Sequence, residues 1–514
     1  MPAEAAEATE RPTAPTPAAP PRPWWRRLPW RHLPLLVLLG CYLDARIRIL
    51  TGYALFTAPD TGSYAPRPWE PVEALSFTGH APRPWGVPLL YSLVDTDPAR
   101  VTLQWTISTL AWSLLACACW GRLRTLPARV LCAAALLFLA LAGSVYTWDQ
   151  AILSESLSIS LGVATLALLT IWATTRSWVA LGALVAVATW WAFTRQDVLP
   201  YLLLLVVALA LHALRRRYRW GALVGAALLV GAVAWQVSIV PTIDASYRSW
   251  GTGLSLSDAT FLYRLRFQVL NDPEVKAAYQ QEFGMPRCKR AELLAETPFW
   301  AMGPFIEAYR NCPELMGWVA TQKSTVGWRY ARAHPDHYTE QVLKVLPVAL
   351  DGTGGRYAQP VAGLPTVPEE VLFPNRHRVL PQAAGLFLGA LGVGLLALLF
   401  RRSRWLAAAG ALLALASTAS AVAGMMYSAG EYARFGIQEA VLLRVGLILL
   451  AAAAIDAVLT CLTDGVTALR RHLRRRRERA AGPAGEPVPE PRGEPEDEPH
   501  REAEDEPVAE ERVT

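Results

Sequence analysis

Charge is scarce in this chain. Only 18% of its 514 residues are Asp, Glu, Lys or Arg, whereas 53% are hydrophobic and 20 are Trp. Together with a mean hydropathy of +0.23, this excludes an ordinary soluble globule and fits a polytopic membrane protein. The formal net charge of +6 is not a nucleic-acid footprint, because the arginines crowd short loops and the acids crowd the tail from Glu486 onward. Also missing are a Walker lysine, a metalloprotease helix and a Cys/His zinc set. Asp351-Gly352-Thr353-Gly354-Gly355 is Gly-rich but leads into no helical pattern. No internal repeat of fixed period is found, which disfavours the repeat-built transporters. Cysteine is sparse: five of seven lie in apolar runs, leaving Cys288 and Cys312 outside them. A disulfide is expected between these two, closing Lys289 to Asn311 into a loop.

What is present is a series of apolar runs, each near the twenty or so residues needed to cross about 30 Å of hydrocarbon. They lie at Leu33–Phe56, Val101–Trp120, Leu126–Tyr146, Ile152–Thr174, Trp178–Thr194, Val198–Leu214, Trp220–Val240, Leu380–Phe400, Trp405–Tyr427 and Gly436–Cys461. No small-residue cleavage site follows the first run, so it is expected to remain as a span, with Asp44 and Arg48 four apart on one helical face. The fold class is therefore an all-α polytopic membrane protein of about ten transmembrane helices.

Alternating these spans puts every short arginine cluster (the N-terminal group Arg22, Arg26, Arg27 and Arg31, then Arg122 with Arg124, Arg176, Arg215 to Arg219, Arg401 to Arg404, Arg470 to Arg479) on one side, so both termini are expected to be cytoplasmic. The expected organisation is a disordered tail 1–31, a span region 32–240 with a first outer loop 57–100, an extracytoplasmic and mostly helical domain 241–379, spans over 380–463, and a basic then acidic disordered tail 464–514. Within the outer domain, Asn271-Asp272-Pro273 is expected to stop one helix and start another, and a helix over Lys323 to Ala333 is expected to end at His334-Pro335.

Against this apolar background the outer-side charges stand out. Asp60 lies in Pro59-Asp60-Thr61-Gly62-Ser63-Tyr64, Asp149 in the turn Trp148-Asp149-Gln150, and Glu155 opens the fourth span. A carboxylate one turn inside an apolar helix is costly in hydrocarbon and points to a polar cavity, a partner or catalysis. The bland readings are a surface turn for Asp60 and a helix-helix hydrogen bond for Glu155, flanked by Ser154, Ser156, Ser158 and Ser160. Arg195 and Arg434 are candidates for binding a phosphate by paired hydrogen bonds; their bland readings are headgroup snorkelling or local pairing with Asp197 and Glu431.

Three features in order resemble the GT-C superfamily of membrane glycosyltransferases, the group of the protein O-mannosyltransferases and aminoarabinose transferases, and within it the RgtA/B/C/D-like bacterial branch of actinobacterial type. They are Asp60 to Tyr64 after the first span with a Gly/Pro-rich approach to the second, Ser154-Glu155 opening the fourth, and Arg434 before a late span. The resemblance implies a polyprenyl-phosphate-linked sugar donor in the membrane and a glycan, lipid or protein acceptor on the outer face. Asp60 would then be the catalytic base, Asp149 or Glu155 would position the donor or hold a divalent cation (Mg or Mn), and Arg195 or Arg434 would neutralise the leaving phosphate. Thr61 follows Asp60 where some relatives carry a second acid, which counts against metal dependence. A transporter or flippase, or a non-catalytic scaffold, is the rival reading; a scaffold would tolerate replacement of Asp60 and Glu155.

Overall fold

The computed structural model describes residues 30–52, 54–58, 60–64, 83–214, 219–248, 253–296, 302–350, 367–373, 403–427 and 432–480, with the single positions 389, 392 and 397. Among them helices dominate and the only β pairing is an isolated parallel bridge between Phe56 and Ala151. Helices occupy nine of the ten apolar runs: α1 (Leu33–Thr51), α4 (Asp97–Arg122), α5 (Leu126–Ala140), α7 (Glu155–Thr175), α8 (Trp178–Ala192), α9 (Leu199–Ala213), α10 (Arg219–Ser238), α20 (Arg404–Tyr427) and α22 (Ile437–Ala480). The tenth, Leu380 to Phe400, falls almost wholly outside the described residues. Short helices α2 (Thr61–Tyr64), α3 (Gly86–Tyr91) and α6 (Gly143–Tyr146) lie in the early connections.

Among the described residues six helices are long and apolar enough to cross a membrane, or seven if α5 and the following Gly143–Gln150 segment, bent by 58°, form one broken span. Ten spans are thus not confirmed among the described residues. α8, at 15 residues, is short for a straight crossing, and α1 carries Asp44, Arg46 and Arg48. The chain is nevertheless a helical membrane protein by the distribution of its side chains. Leu110, Leu131, Leu203, Leu211 and Leu228 face outward from their helices, while Glu155, Asp149, Arg46 and Glu439 are buried, the reverse of a soluble fold.

α7 is the central helix: 78% of its apolar window is buried, against 33 to 50% for the other five spans. α4 and α8 pack along it, and α9 pairs with α10. Local signals set several boundaries. Thr96 caps α4 by accepting from the Ala99 amide, with Pro98 in the first turn. α20 and α22 meet at glycines: a Cβ on Gly410 would lie 2.7 Å from the Gly446 carbonyl, and one on Gly446 would lie 2.7 Å from the Gly410 carbonyl. Only residues without side chains allow helix backbones so close. Asp456 of α22 reaches the connection before α5, accepting from the Arg124 and Thr125 amides at 2.9 and 2.7 Å.

The segment after α10 is helical, as expected: α11 (Val240–Tyr247), α12 (Leu256–Arg264) running into a π turn at Leu265–Leu270, α13 (Pro273–Gln281), α14 (Lys289–Ala295), α15 (Met302–Arg310), α16 (Pro313–Gln322), α17 (Val326–Ala333), α18 (Pro335–Leu350) and α19 (Val367–Leu372). It has a hydrophobic cluster of its own around Phe261, Leu262, Tyr279, Phe305 and Val319. Asp272 does divide two helices, accepting from the Glu274 and Val275 amides to start α13, and α17 ends at His334-Pro335. Burial raises the Asp258 carboxyl, but hydrogen bonds from Lys323 and Ser255 outweigh it and hold it below its ordinary value.

Residues 460–480 form a separate unit. Disorder was expected from 464 onward, but 464–480 are helical and exposed where described, since Leu, Ala and Arg are strong helix formers. The short α21 (Tyr432–Phe435) precedes α22.

Candidate functional site

The Asp60 loop reaches the bundle through backbone pairing. Phe56 donates to the Gln150 carbonyl and accepts from Ile152, both at 3.2 Å. Thr61 Oγ1 then binds the Ile152 carbonyl at 3.1 Å, and Tyr64 Oη binds Ser154 Oγ at 3.2 Å. The strip 150–154 is held from behind by Gln104, whose amide donates to the carbonyls of Asp149 and Ala151. This docking sets Asp60 beside the first turn of α7.

There the charges form a continuous chain. Asp60 Oδ2 pairs with Arg434 Nη2 at 2.9 Å, Arg434 Nε donates to Glu155 Oε1 at 2.8 Å, and the same oxygen faces Arg195 Nη1 at 3.2 Å. Arg195 in turn grips Asp197, with Nη2 to Oδ2 at 2.5 Å. Glu155 and Arg434 are 279 positions apart in sequence. At the loop end, Arg83 Nη2 lies 3.4 Å from Asp60 Oδ2 and its guanidinium covers the Tyr64 ring. Three carboxylates alternating with three guanidiniums leave the chain neutral, which is how so many charges are tolerated here.

These residues line a cavity of about 1090 Å³, slightly larger than the roughly 300–1000 Å³ of most ligand sites. Exposure separates their roles: the Asp60 side chain is 37% exposed, that of Glu155 only 1%. Asp60 can be reached from the cavity, whereas Glu155 is a spacer locked between two arginines. The opposite wall comes from the helical segment after α10 and includes Arg264, Lys323 and Tyr263.

The structure brings together Asp60, Glu155, Arg195 and Arg434. It does not bring in Asp149. That residue lies in the turn Thr147–Gln150, as joint action with Glu155 would require, but Arg46 Nη2 claims its Oδ2 at 2.6 Å and Ser156 claims Oδ1. Arg46, entirely buried, draws Asp149 toward α1 and α4, so Asp149 does not line the cavity and is not placed to position a donor there. The local pairing of Arg195 with Asp197 is present as well as its bond to Glu155, and Asp44 pairs with Arg48 at 2.9 Å on the surface. Glu431 lies outside the described residues.

A divalent cation on Asp149 and Glu155 does not fit the side chains. Each carboxylate is already engaged by arginine, and among the described residues no three His, Cys, Asp or Glu side chains are arranged to hold a metal ion. Cys288 and Cys312 are free thiols that stand next to one another; burial and a hydrogen bond with Cys288 raise the Cys312 thiol.

Glu439, Arg83 and Arg264 are site residues that the sequence reading passed over. Glu439 carries the same mark as Glu155, an acid in the first turn of an apolar helix. It is 2% exposed, accepts from Ser420 at 2.8 Å, and its Oε2 is buried with no hydrogen-bond partner. Arg83 and Arg264 had no such signal: Arg83 lies in a Pro-rich loop, and Arg264 shares its helical stretch with Arg266. No family model, curated protein or solved structure matches the chain.

Proposed function

We propose that the protein is a membrane glycosyltransferase that moves a sugar from a polyprenyl-phosphate donor to an acceptor hydroxyl, with its site on the outer face. The observation that carries this reading is the convergence of Asp60, Glu155, Arg195 and Arg434 on one cavity. The cavity also has apolar lining suited to an isoprenoid, including Leu199, Val240, Leu256 and Met425. In the reaction the acceptor oxygen bonds to the anomeric carbon and the bond from that carbon to the phosphate oxygen breaks. The proton passes to Asp60, the most exposed of the three acids in the Arg83–Asp197 ion chain, and the electron pair leaves with the phosphate. Glu155 holds Arg434 and Arg195 in place, so that Arg434 presents positive charge beside the base. No step uses a metal ion.

Asp60→Asn keeps the shape and removes the base, so transfer of labelled sugar in membranes should fall about a hundredfold or more while the protein still inserts and elutes as a single species. Arg434→Lys should retain more transfer than Arg434→Ala, since charge survives but one ammonium cannot bridge Asp60 and Glu155 as the fork does. Undiminished transfer by Asp60→Asn would falsify the mechanism.

A further inference from the structure

Five cations line the cavity, and four of them are matched by acids. Arg83 faces Asp60, Arg195 faces Asp197 and Glu155, Arg434 faces Asp60 and Glu155, and Lys323 is bound to Asp258 at 2.5 Å. Arg264 is the exception: among the described residues it has no ion pair and no hydrogen bond, and its Nε is buried without a partner. Arg264 is half-buried, and a guanidinium nitrogen withdrawn from water with no partner is costly unless a ligand completes it. Its surroundings point the same way. Tyr432 Oη accepts from Gln268 Nε2 at 2.6 Å, which leaves the phenolic hydrogen to donate, and Tyr432 lines the same cavity. Burial raises the Tyr432 phenol overall, and the nearby charge of Arg264 pulls against that rise.

The guanidinium also has a built seat. A Cβ on Gly327 would lie 2.8 Å from a terminal nitrogen of Arg264, so glycine at that position lets the arginine lie flat against α17. At the membrane end of the cavity the arginines are saturated, and a further anion there would meet Asp60, Asp197 and Glu439. At Arg264 it would meet uncompensated positive charge.

We propose that Arg264, with the Tyr432 hydroxyl, is the anion-binding subsite of the cavity and takes a phosphate group. A guanidinium binds phosphate oxygens through parallel N–H bonds. This deepens the transferase reading by identifying the cation that receives the donor's phosphate in place of Arg195 and Arg434, and it rests on that reading only for the choice of a lipid-linked probe. The phosphate arrives either on a lipid or free.

The test uses the full chain in nanodiscs and measures binding of a short-chain prenyl phosphate, the matching prenyl alcohol and inorganic phosphate. Arg264→Gln should weaken prenyl phosphate binding about tenfold or more without changing binding of the alcohol. Gly327→Ala should weaken it too, because the new methyl displaces a flexible guanidinium while alanine favours the helix, so its fold is safe even where that of Arg264→Gln is not. Competition by inorganic phosphate would identify the free anion as the ligand, and its failure to compete would identify the lipid headgroup. Equal prenyl phosphate binding by wild type and both variants, or no binding of either phosphate by wild type, overturns the proposal. Loss of sugar transfer as the function would not: Arg264-dependent phosphate binding in a protein whose Asp60→Asn variant behaves as wild type would sink the transferase and leave the subsite standing.

Discussion

Arg46 and Asp149 make a buried pair that serves packing and not the cavity. Arg46 Nε also donates to Thr109 at 3.0 Å, and its carbonyl accepts from the Trp105 indole at 2.8 Å, so α1, α4 and the turn before α7 are tied at one point. Removing one member of such a pair strands the other charge, at about 3–5 kcal/mol. Asp149→Ala should therefore lower the melting temperature sharply, whereas Arg46→Met combined with Asp149→Leu should recover much of the loss. Transfer per folded molecule should stay near wild type in the double variant. A folded, stable Asp149→Ala protein without transfer would return Asp149 to the site. Asp60 offers the contrast, since its exposure makes its replacement a test of chemistry first.

At the scale of elements, the two cysteine-led helices carry a further prediction. Cys288 and Cys312 directly precede α14 and α16, and we propose that they join in an oxidising compartment. Non-reducing peptide mapping should recover their linked peptides, and Cys288→Ser should destabilise only the oxidised protein, by about 3 kcal/mol for a loop of this size. Alkylation of both thiols in protein isolated without reductant would refute the bond. Helix positions here were largely legible beforehand, because hydropathy sets the spans and Asp272-Pro273 and His334-Pro335 punctuate the segment between. Asp60, Glu155, Arg195 and Arg434 were legible because isolated charge in an apolar chain is conspicuous. Asp149 was equally conspicuous and misleading, since its partner lies 103 positions away and no local pattern links them. Glu439 was visible by the criterion that selected Glu155. Arg264 was not, because what distinguishes it is a missing partner, which only the folded arrangement reveals.

At the scale of the whole molecule, the expected orientation of the cavity follows from the charge of the connections. The arginine clusters predict that reporters fused at Gly79 and at Arg217, both outside the described residues, report opposite compartments, with Gly79 outside. The same compartment for both would remove the basis for an outer-face site. The long reach of the ion chain bears also on how the protein is made. Glu155 and the start of α5 enter the bilayer early in translation, but Arg434 is synthesised 279 residues after its partner Glu155, and Asp456 331 residues after the Thr125 amide it caps. Until the last span arrives, the half-built bundle holds an acid with one of its two cations and a helix start with bare amides. Nascent chains stalled before residue 432 should thus be substrates for membrane quality control, and the final span acts as the clasp that releases the protein from it.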